Sequence, residues 1–265
     1  MNLVSITSGS SGNCIYVGTD NTHILVDAGI SCKRIEAGLQ SIGLKADELS
    51  GILVTHEHSD HIQGIGVMAR RYGIPIYATR GTISGILESK CAGDIPTDLF
   101  TIVEADKCFD IDELSINPVR ISHDAKEPVA YRINNGKRSV GVCTDLGMYD
   151  DYIVDNFKGV NAILLEANHD VNMLQVGRYP YPLKRRILSN RGHLSNENSG
   201  RLLCELLHDD LSTILLGHLS EENNLAELAY ETVRLEIMMN ECKYQPEDFE
   251  LIVASRSERS KLIAV

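Results

Sequence analysis

Residues 52–61 read Ile-Leu-Val-Thr-His-Glu-His-Ser-Asp-His, a short apolar run that leads directly into a cluster of histidines and acids. In an extended chain, residues two apart point to the same side, so His56 and His58 present two imidazoles on one face. Asp60 and His61 follow where the chain turns. Neutral imidazole and carboxylate ligands suit zinc, manganese or iron(II) better than calcium. The segment therefore predicts a metal site at the end of a strand rather than a chance polar turn.

Further candidate ligands come directly after other apolar, strand-like runs. They are His123, Asp145 and His218. Taken alone, each of these residues fits a surface, capping or loop position at least as well as a ligand position. Two ions need more ligands than residues 56–61 supply, and these three side chains complete the set.

The chain has the composition of a globular protein. Its 265 residues are 43% hydrophobic and 23% charged, which suits a domain with a sizeable core and excludes a disordered or collagen-like chain. The sequence has no apolar run of about 18 residues and no basic, apolar secretory start. These features predict a cytoplasmic protein that does not bind a membrane. Its seven cysteines lie far apart without a Cys-X-X-Cys pair, which predicts reduced thiols rather than disulfides or a zinc knuckle.

The charge is unevenly distributed. A net charge of −12 argues against non-specific binding to a polyanion. The stretch from Asn172 to His193 is the exception, because it carries no Asp or Glu. Its cations are Arg178, Lys184, Arg185, Arg186 and Arg191. We identify these five residues as candidate nucleic-acid contacts, with a solvated helix face as the alternative.

Short β-branched runs alternate with helical patterns along the chain. Strands are predicted at 3–6, 14–17, 24–26, 52–55, 74–77, 115–121, 129–133, 139–143, 162–166, 213–216 and 251–254, and helices at 195–207 and 222–240. No linker or repeat interrupts this pattern, so we expect one α/β layered domain over residues 1–265. Residues 80–112 carry no interpretable motif and are expected to form helices and edge strands of the first half.

The ligand pattern resembles the signature of the metallo-β-lactamase-fold hydrolases. His-Glu-His-Ser-Asp-His is preceded by Leu-Val-Asp-Ala-Gly at 25–29 and followed by His123, Asp145 and His218 in that order. The resemblance covers residues 3–255 or so. It implies an α/β fold of the αββα type, in which two mixed β-sheets are flanked by helices and a binuclear metal site lies at one edge of the sheets.

The same resemblance implies a role for each motif residue. It implies that the first ion takes His56, His58 and His123, and that the second takes Asp60, His61 and His218. Asp145 bridges both ions. Asp27 orients ligands through hydrogen bonds and does not bind an ion itself. Two divalent ions about 3.5–4 Å apart activate a bridging hydroxide that attacks an electrophilic centre. The ions are zinc or manganese, with iron as a further candidate. Asp60 is thereby assigned to catalysis as well as to metal binding.

Local segments resemble one branch of this superfamily, the YycJ (WalJ) exonuclease subfamily. They are Ser-Gly-Ser-Ser-Gly-Asn at 8–13, Leu-Leu-Glu-Ala-Asn-His-Asp at 164–170, Gly-His-Leu-Ser-Asn at 192–196 and Gly-His-Leu-Ser-Glu-Glu-Asn-Asn at 217–224. This resemblance implies a metal-dependent 5′-to-3′ DNA exonuclease with a role in DNA repair.

Several residues of these segments are candidates for substrate binding. The resemblance implies that His193 contacts the scissile phosphate or protonates the leaving oxygen, and that Ser195 and Asn196 hold a phosphate. Ser10 and Asn13 lie in a small-residue loop that suits an anion-binding nest, with a flexible turn as the alternative. Asn168 and His169 are candidates for positions near the metals, without a ligand role.

Other functions of the same fold stay open. A small-molecule cyclic phosphodiesterase and an RNA-processing nuclease share the metal motifs, and RNA is an alternative substrate to DNA. Only 72 residues lie between Asp145 and His218, too few for the large insert of one ribonuclease group. A thioesterase or lactonase has little use for the basic stretch or for His193. A non-catalytic metal-binding protein is disfavoured because no ligand position is missing.

Overall fold

The structure is a computed structural model that describes residues 1–241 and 243–265. Its strands are β1 (Asn2–Thr7), β2 (Cys14–Gly18), β3 (His23–Val26), β4 (Gly51–Leu53), β5 (Ile76–Ala78), β6 (Phe100–Ile102), β7 (Phe109–Ile111), β8 (Leu114–Arg120), β9 (Val129–Asn134), β10 (Ser139–Cys143), β11 (Ala162–Glu166), β12 (Thr213–Gly217), β13 (Glu250–Val253) and β14 (Ile263–Ala264). Its helices are α1 (Cys32–Gln40), α2 (Ser59–Ile62), α3 (Ile65–Tyr72), α4 (Arg80–Glu88), α5 (Asp151–Phe157), α6 (Val171–Val176), α7 (Tyr181–Ile187), α8 (Asn196–Leu206) and α9 (Ala226–Met239).

Within these described residues, the strands form two mixed sheets of seven strands each. The first has the order β14-β1-β2-β3-β4-β5-β6, and the second has the order β13-β12-β11-β10-β9-β8-β7. Strands β3 to β6 pair in parallel in the first sheet, as do β10 to β13 in the second. The carboxyl ends of parallel strands meet at one edge of a sheet, where α/β proteins place their functional loops.

The two sheets pack face to face, and helices cover their outer faces. Strand β2 is buried along its whole length, yet its residues alternate between two cores. Ile15 and Val17 join the core between the sheets, while Cys14 and Tyr16 join the core under the helices. Helices α1, α3 and α4 cover the first sheet, and α5, α8 and α9 cover the second. The αββα sandwich predicted from the sequence is therefore confirmed.

Every predicted strand and both predicted helices occur, and their ends shift by at most four residues. The strand predicted at 52–55 ends at Leu53, because the chain bends there toward the histidine cluster. Residues 80–112 form a helix and edge strands, as expected, but these strands belong to two different sheets. Strand β6 closes the edge of the first sheet, whereas β7 closes the edge of the second.

Two further sequence predictions concern the cysteines and membrane binding. Cysteines 14, 32, 91, 108 and 143 are thiols, whereas the prediction for Cys242 falls outside the described residues. Among residues 1–241 and 243–265, no helix has both the length and the apolar character needed to cross a bilayer.

Candidate metal centre

The predicted metal ligands come from both sheets and meet at one edge of the sandwich. From the first sheet, the loop after β4 and the short helix α2 supply His56, His58, Asp60 and His61. From the second sheet, the ends of β8, β10 and β12 supply the remaining three. Those three are His123, Asp145 and His218. All seven side chains are thus brought together as the sequence predicts.

Their donor atoms form groups with the spacing of metal ligands. Atoms of His56, His58 and His123 lie within 4.8 Å of one another, as do atoms of Asp60, His61 and His218. The Nδ1 atom of His58 lies 3.3 Å from Nε2 of His123. The Oδ2 atom of Asp60 lies 3.4 Å from Nε2 of His61 and 3.3 Å from Nε2 of His218. Two adjacent three-residue sets are therefore present.

Asp145 lies between the two sets. Its Oδ2 is 3.2 Å from Nε2 of His61, and its Oδ1 is 3.3 Å from Nδ1 of His218 and 3.6 Å from Nε2 of His123. Among the described residues, Oδ2 of Asp145 and Nε2 of His56 are buried without a hydrogen-bond partner. Unsatisfied buried polar atoms are rare in proteins and call for a reason. Imidazole and carboxylate atoms that converge in this way suit divalent cations, so the residues fit the ions that the sequence predicts.

Asp27 orients two histidines from behind the cluster. Its Oδ2 accepts the Nδ1–H of His61 at 2.7 Å and the Thr55 hydroxyl at 2.9 Å, and its Oδ1 accepts the Thr55 amide at 2.8 Å. The Thr55 hydroxyl oxygen also lies 3.0 Å from Nδ1 of His56. A carboxylate on one ring nitrogen fixes the tautomer and turns the other nitrogen toward a metal.

Gly29 lets the Asp27 loop approach the ligand loop closely. A Cβ atom at this position would lie 1.7 Å from the Asp60 carbonyl oxygen, which is far shorter than any allowed contact distance. The amide of Ala28 also donates to the His61 carbonyl at 2.9 Å. The Asp-Ala-Gly sequence at 27–29 thus supplies a carboxylate and the room that it needs.

The imidazoles differ in their electrostatic surroundings. Burial, with repulsion from His61, holds the pKa of His56 well below its usual value, so this ring is neutral. Burial also opposes charge on His61, but the Asp145 and Asp27 carboxylates outweigh it and raise the pKa of His61 well above the usual value. Neutral imidazole is the form that binds metals. A cation at the cluster would therefore displace a proton from His61.

Glu166 is a site residue that sequence reasoning missed. It is the last residue of β11 and is fully buried. Its Oε1 lies 2.8 Å from Nδ1 of His193 and 3.1 Å from Nδ1 of His218, and its Oε2 accepts the amides of Leu146 and Leu194. A carboxylate that ends a wholly apolar strand was the available signal, because Glu is rarely buried unless paired.

His193 lies beside the cluster, and its ring is hydrogen-bonded to Glu166. Burial disfavours its charge, but the Glu166 carboxylate outweighs this effect and raises the pKa of His193 to about 9. Since Glu166 accepts from Nδ1, the Nε2 atom is the ring nitrogen available to a substrate. Glu166 therefore holds the His193 ring in a fixed orientation.

Three residues of the site have left-handed backbone conformations. The φ angles are 64° at Asp27, 60° at Asp145 and 55° at His218. Each residue follows a buried parallel strand, and its conformation turns the side chain toward the shared edge. Side-chain-bearing residues pay about 1–2 kcal/mol for this conformation, which tends to persist where function requires it.

The loop at residues 8–13 braces the site through Asn13 and Ser8. The Asn13 amide oxygen accepts from the Ser8 hydroxyl and the Gly9 amide, and its backbone amide donates to the Asp60 carbonyl at 2.8 Å. Ser8 in turn accepts the His218 amide at 2.9 Å. Asn13 is buried, whereas Ser10 is exposed. Phosphate binding by either residue stays a prediction.

Asn196 and Asn168 also have internal partners. The Asn196 side chain exchanges hydrogen bonds with that of Asn224 at 2.8 and 3.0 Å and is fully buried, and its phosphate role stays a prediction. Asn168 donates to the His218 carbonyl at 2.9 Å and therefore supports a predicted ligand, near the metals as expected. Ser195 caps α8 by accepting the Asn198 amide at 3.2 Å. Its predicted phosphate contact is untested.

The basic stretch adjoins the cluster, but not all of its cations are available. Arg191 donates to the His123 carbonyl at 3.1 and 3.2 Å and so holds a ligand loop in place. Arg186 is paired with Asp124, and Lys184 donates to a backbone carbonyl at 2.7 Å. Arg178 and Arg185 are exposed. In the part of the chain that the structure describes, neither forms an ion pair, so these two are the best placed for a nucleic-acid backbone.

Comparison with known proteins identifies the family of this chain. The beta-lactamase superfamily domain matches residues 22–212. The exodeoxyribonuclease YycJ of Bacillus anthracis is 43% identical over 228 residues, which cover 86% of each chain. The chain belongs to the metallo-β-lactamase superfamily, and within it to the YycJ/WalJ family. The exodeoxyribonuclease WalJ of Streptococcus pneumoniae serotype 2 is 42% identical, over 86% of this chain and 85% of the relative.

A solved structure shows the same fold at low sequence identity. Zn²⁺-bound PqqB from Methylobacterium extorquens superposes with a TM-score of 0.70 at 15% identity, over 98% of this chain and all of that one. The metallo-β-lactamase fold implies divalent metal ions, and this chain has ligand groups suited to them. The family assignment predicted from the ligand motifs is confirmed.

Metal binding is expected to stabilise the protein. A ligand that binds only the folded state adds about 2.7 kcal/mol at a hundredfold excess over its dissociation constant. For a chain of this size, that predicts a rise in Tm of about 5–10 °C on adding Mn²⁺ or Zn²⁺ to chelator-treated protein. Differential scanning calorimetry with and without metal measures it. The same Tm with and without either ion would contradict a metal site at this cluster.

Proposed function

We propose that this chain is a divalent-metal-dependent 5′-to-3′ DNA exonuclease. The observation that carries the proposal is the cluster of seven imidazole and carboxylate ligands beside His193, which Glu166 orients. The names of the relatives, which are 42–43% identical, support DNA as the substrate. A role in DNA repair and a cytoplasmic location are part of the proposal, because the same resemblance implies them.

The proposed ligand sets follow the geometry. His56, His58 and His123 would hold one ion, Asp60, His61 and His218 would hold the other, and Asp145 would be available to both. Zinc or manganese fits these donors, and iron is a further candidate. Bound divalent ions supply a water of lowered pKa and positive charge next to the phosphate. Asp60 contributes one of the few carboxylates and is assigned to both metal binding and catalysis.

The chain's own residues complete the reaction. His193 carries a proton on Nε2, because Glu166 raises its pKa to about 9 and occupies Nδ1. In cleavage from the 5′ end, the leaving group is the O3′ atom of the terminal nucleotide, which needs a proton. A positioned general acid is typically worth 10²–10⁴-fold in rate. We assign this role to His193 and the positioning of His193 to Glu166.

Arg178 and Arg185 are proposed to contact the DNA backbone. Replacing both by Glu is expected to weaken binding to duplex DNA about tenfold or more at low salt. The slope of log K against log salt should become shallower by about 1–2, because each neutralised phosphate contributes about 0.9. Fluorescence anisotropy with catalytically inactive protein over a salt series measures both quantities.

Lys137 and Arg138 provide the matched control for this prediction. Both are exposed and precede β10, at the end of that strand opposite to Asp145. Replacing both by Glu changes the net charge by the same amount at the far end of the sheet. An equal loss of affinity in the two double variants would mean that only overall charge matters, and that residues 178–191 are a solvated face.

The decisive experiment is a product ladder. Protein loaded with Mn²⁺ or Zn²⁺ is incubated with duplex DNA that carries a 5′ phosphate and a 3′ label, beside matched RNA and a His58→Ala control. We expect stepwise shortening from the 5′ end that is lost in the variant. Intact DNA together with degraded RNA would indicate an RNA-processing nuclease. Intact nucleic acids together with turnover of a cyclic phosphodiester would indicate a small-molecule phosphodiesterase.

A further inference from the structure

A cavity of about 270 Å³ lies next to His193, and none of the seven predicted metal ligands is among its lining residues. Its wall is formed by the loop after β10, the loop after β11, the segment before α8 and the first turn of α8. His193 lines both this cavity and the metal cluster. Whatever lies in the cavity is therefore adjacent to the atom that His193 protonates.

His169 also lines the cavity, and its ring is unsatisfied. The residue is only 1% exposed, and neither Nδ1 nor Nε2 has a hydrogen-bond partner among the described residues. A buried polar group without a partner is costly unless a ligand supplies one. Burial lowers the pKa of His169 to about 4, so the ring is neutral and offers one N–H donor and one acceptor. Such a ring matches a neutral partner with both kinds of group.

The rest of the wall favours a partly apolar ligand. Met148 and Leu188 line it and are 40% and 47% exposed, although both are apolar. Asn190, Ser195 and Asn198 belong to the same wall and are polar residues. Apolar contacts combined with polar groups at the edge are how proteins bind nucleobases.

We propose that this cavity binds the base of the terminal nucleotide that is removed, and that His169 recognises the edge of that base by hydrogen bonds. The inference rests on the proposed nuclease function, since O3′ of that nucleotide must lie beside His193. The backbone of His169 is held independently of its ring, because its carbonyl accepts the Asn196 amide at 2.9 Å. Replacing the ring should therefore leave the loop in place.

The test compares duplex DNA whose 5′-terminal residue carries a base with the same duplex whose terminal residue is an abasic analogue. With the wild-type protein, we expect a terminal residue that carries a base to be removed about tenfold faster than the abasic residue. A factor of this size corresponds to the contribution of one base contact to binding. His169→Ala should remove both residues at the slow rate, and His169→Gln should recover part of the preference. His208→Ala is the matched control, because His208 follows the far end of α8. It should keep the full preference.

Equal rates for both substrates in the wild-type protein would overturn the proposal, as would a full preference in His169→Ala. If no DNA is cleaved, the nuclease function fails and the cavity is tested by binding alone. Calorimetry then compares a deoxynucleoside 5′-monophosphate with deoxyribose 5-phosphate. Tighter binding of the nucleotide to wild type than to His169→Ala supports a base pocket. Equal binding of the two ligands to the wild-type protein refutes it.

Discussion

Replacing Asp145 by Asn is expected to reduce phosphodiester hydrolysis about 1,000-fold and to lower the amount of bound metal. Asp145 faces His61, His123 and His218 within 3.2–3.6 Å, so it is the one proposed ligand common to both ion sites. The stabilisation that metal ions give to developing charge amounts to several kcal/mol, and each 1.36 kcal/mol is tenfold in rate. Asn is the right replacement because it has the same shape and tolerates the φ of 60° at this position.

Metal content by elemental analysis and hydrolysis of DNA are measured on the same preparation. Asp155→Asn, an exposed carboxylate in α5, is the matched control and should keep both properties. An Asp145→Asn variant with normal metal content and normal rate would show that Asp145 is not a bridging ligand. The fold is checked by circular dichroism.

His193→Ala is expected to lower the rate of DNA hydrolysis by about 10²–10⁴-fold while leaving the metal content unchanged. The reason is that His193 supplies a proton to the leaving O3′ atom and is not among the proposed ligands. An aryl phosphodiester such as bis(p-nitrophenyl) phosphate has a leaving group that needs no proton. Its hydrolysis should therefore fall much less than that of DNA.

The ratio of the two rates separates proton donation from other roles. Glu166→Gln should shift the ratio in the same direction, because Glu166 holds Nδ1 of His193 at 2.8 Å. His208→Ala should change neither rate. Loss of metal from His193→Ala would instead indicate that His193 is a metal ligand. Its ring lies close enough to Asp145, Glu166 and His218 for that role. Equal losses on both substrates would argue against a general acid.

The predicted ligands could be found from the sequence because each lies just beyond an apolar strand. Strand ends are local features, and the carboxyl ends of parallel strands converge by topology alone. Asp27, Asp145 and His218 are examples in which the strand pattern fixes the place of the side chain. The two long helices were also predictable, since α8 and α9 span three to four turns of apolar periodicity. The shorter helices, such as α2 and α6, are too short to show a period.

Long-range pairing explains what the sequence did not reveal. Glu166 acts through His193 and His218, which lie 27 and 52 positions further along the chain, and no local pattern encodes that meeting. Asn13 and Asn196 have residue types that suit phosphate binding. Their hydrogen bonds to Asp60 and Asn224 join segments that lie 47 and 28 positions apart in the chain, so they depend on which strands are neighbours within each sheet. Polar residues in loops are therefore the hardest to assign before the tertiary contacts are known.

The division of the ligands between the two sheets also determines when the chain can become active. Residues 27–61 come early in the chain and residues 123–218 come late, so a nascent or partly folded chain holds only half of the centre. Neither half has enough donors for the proposed pair of ions. Nuclease activity then requires that both sheets have docked through their shared core. We therefore expect a partly folded chain, in which the two sheets have not met, to have no nuclease activity.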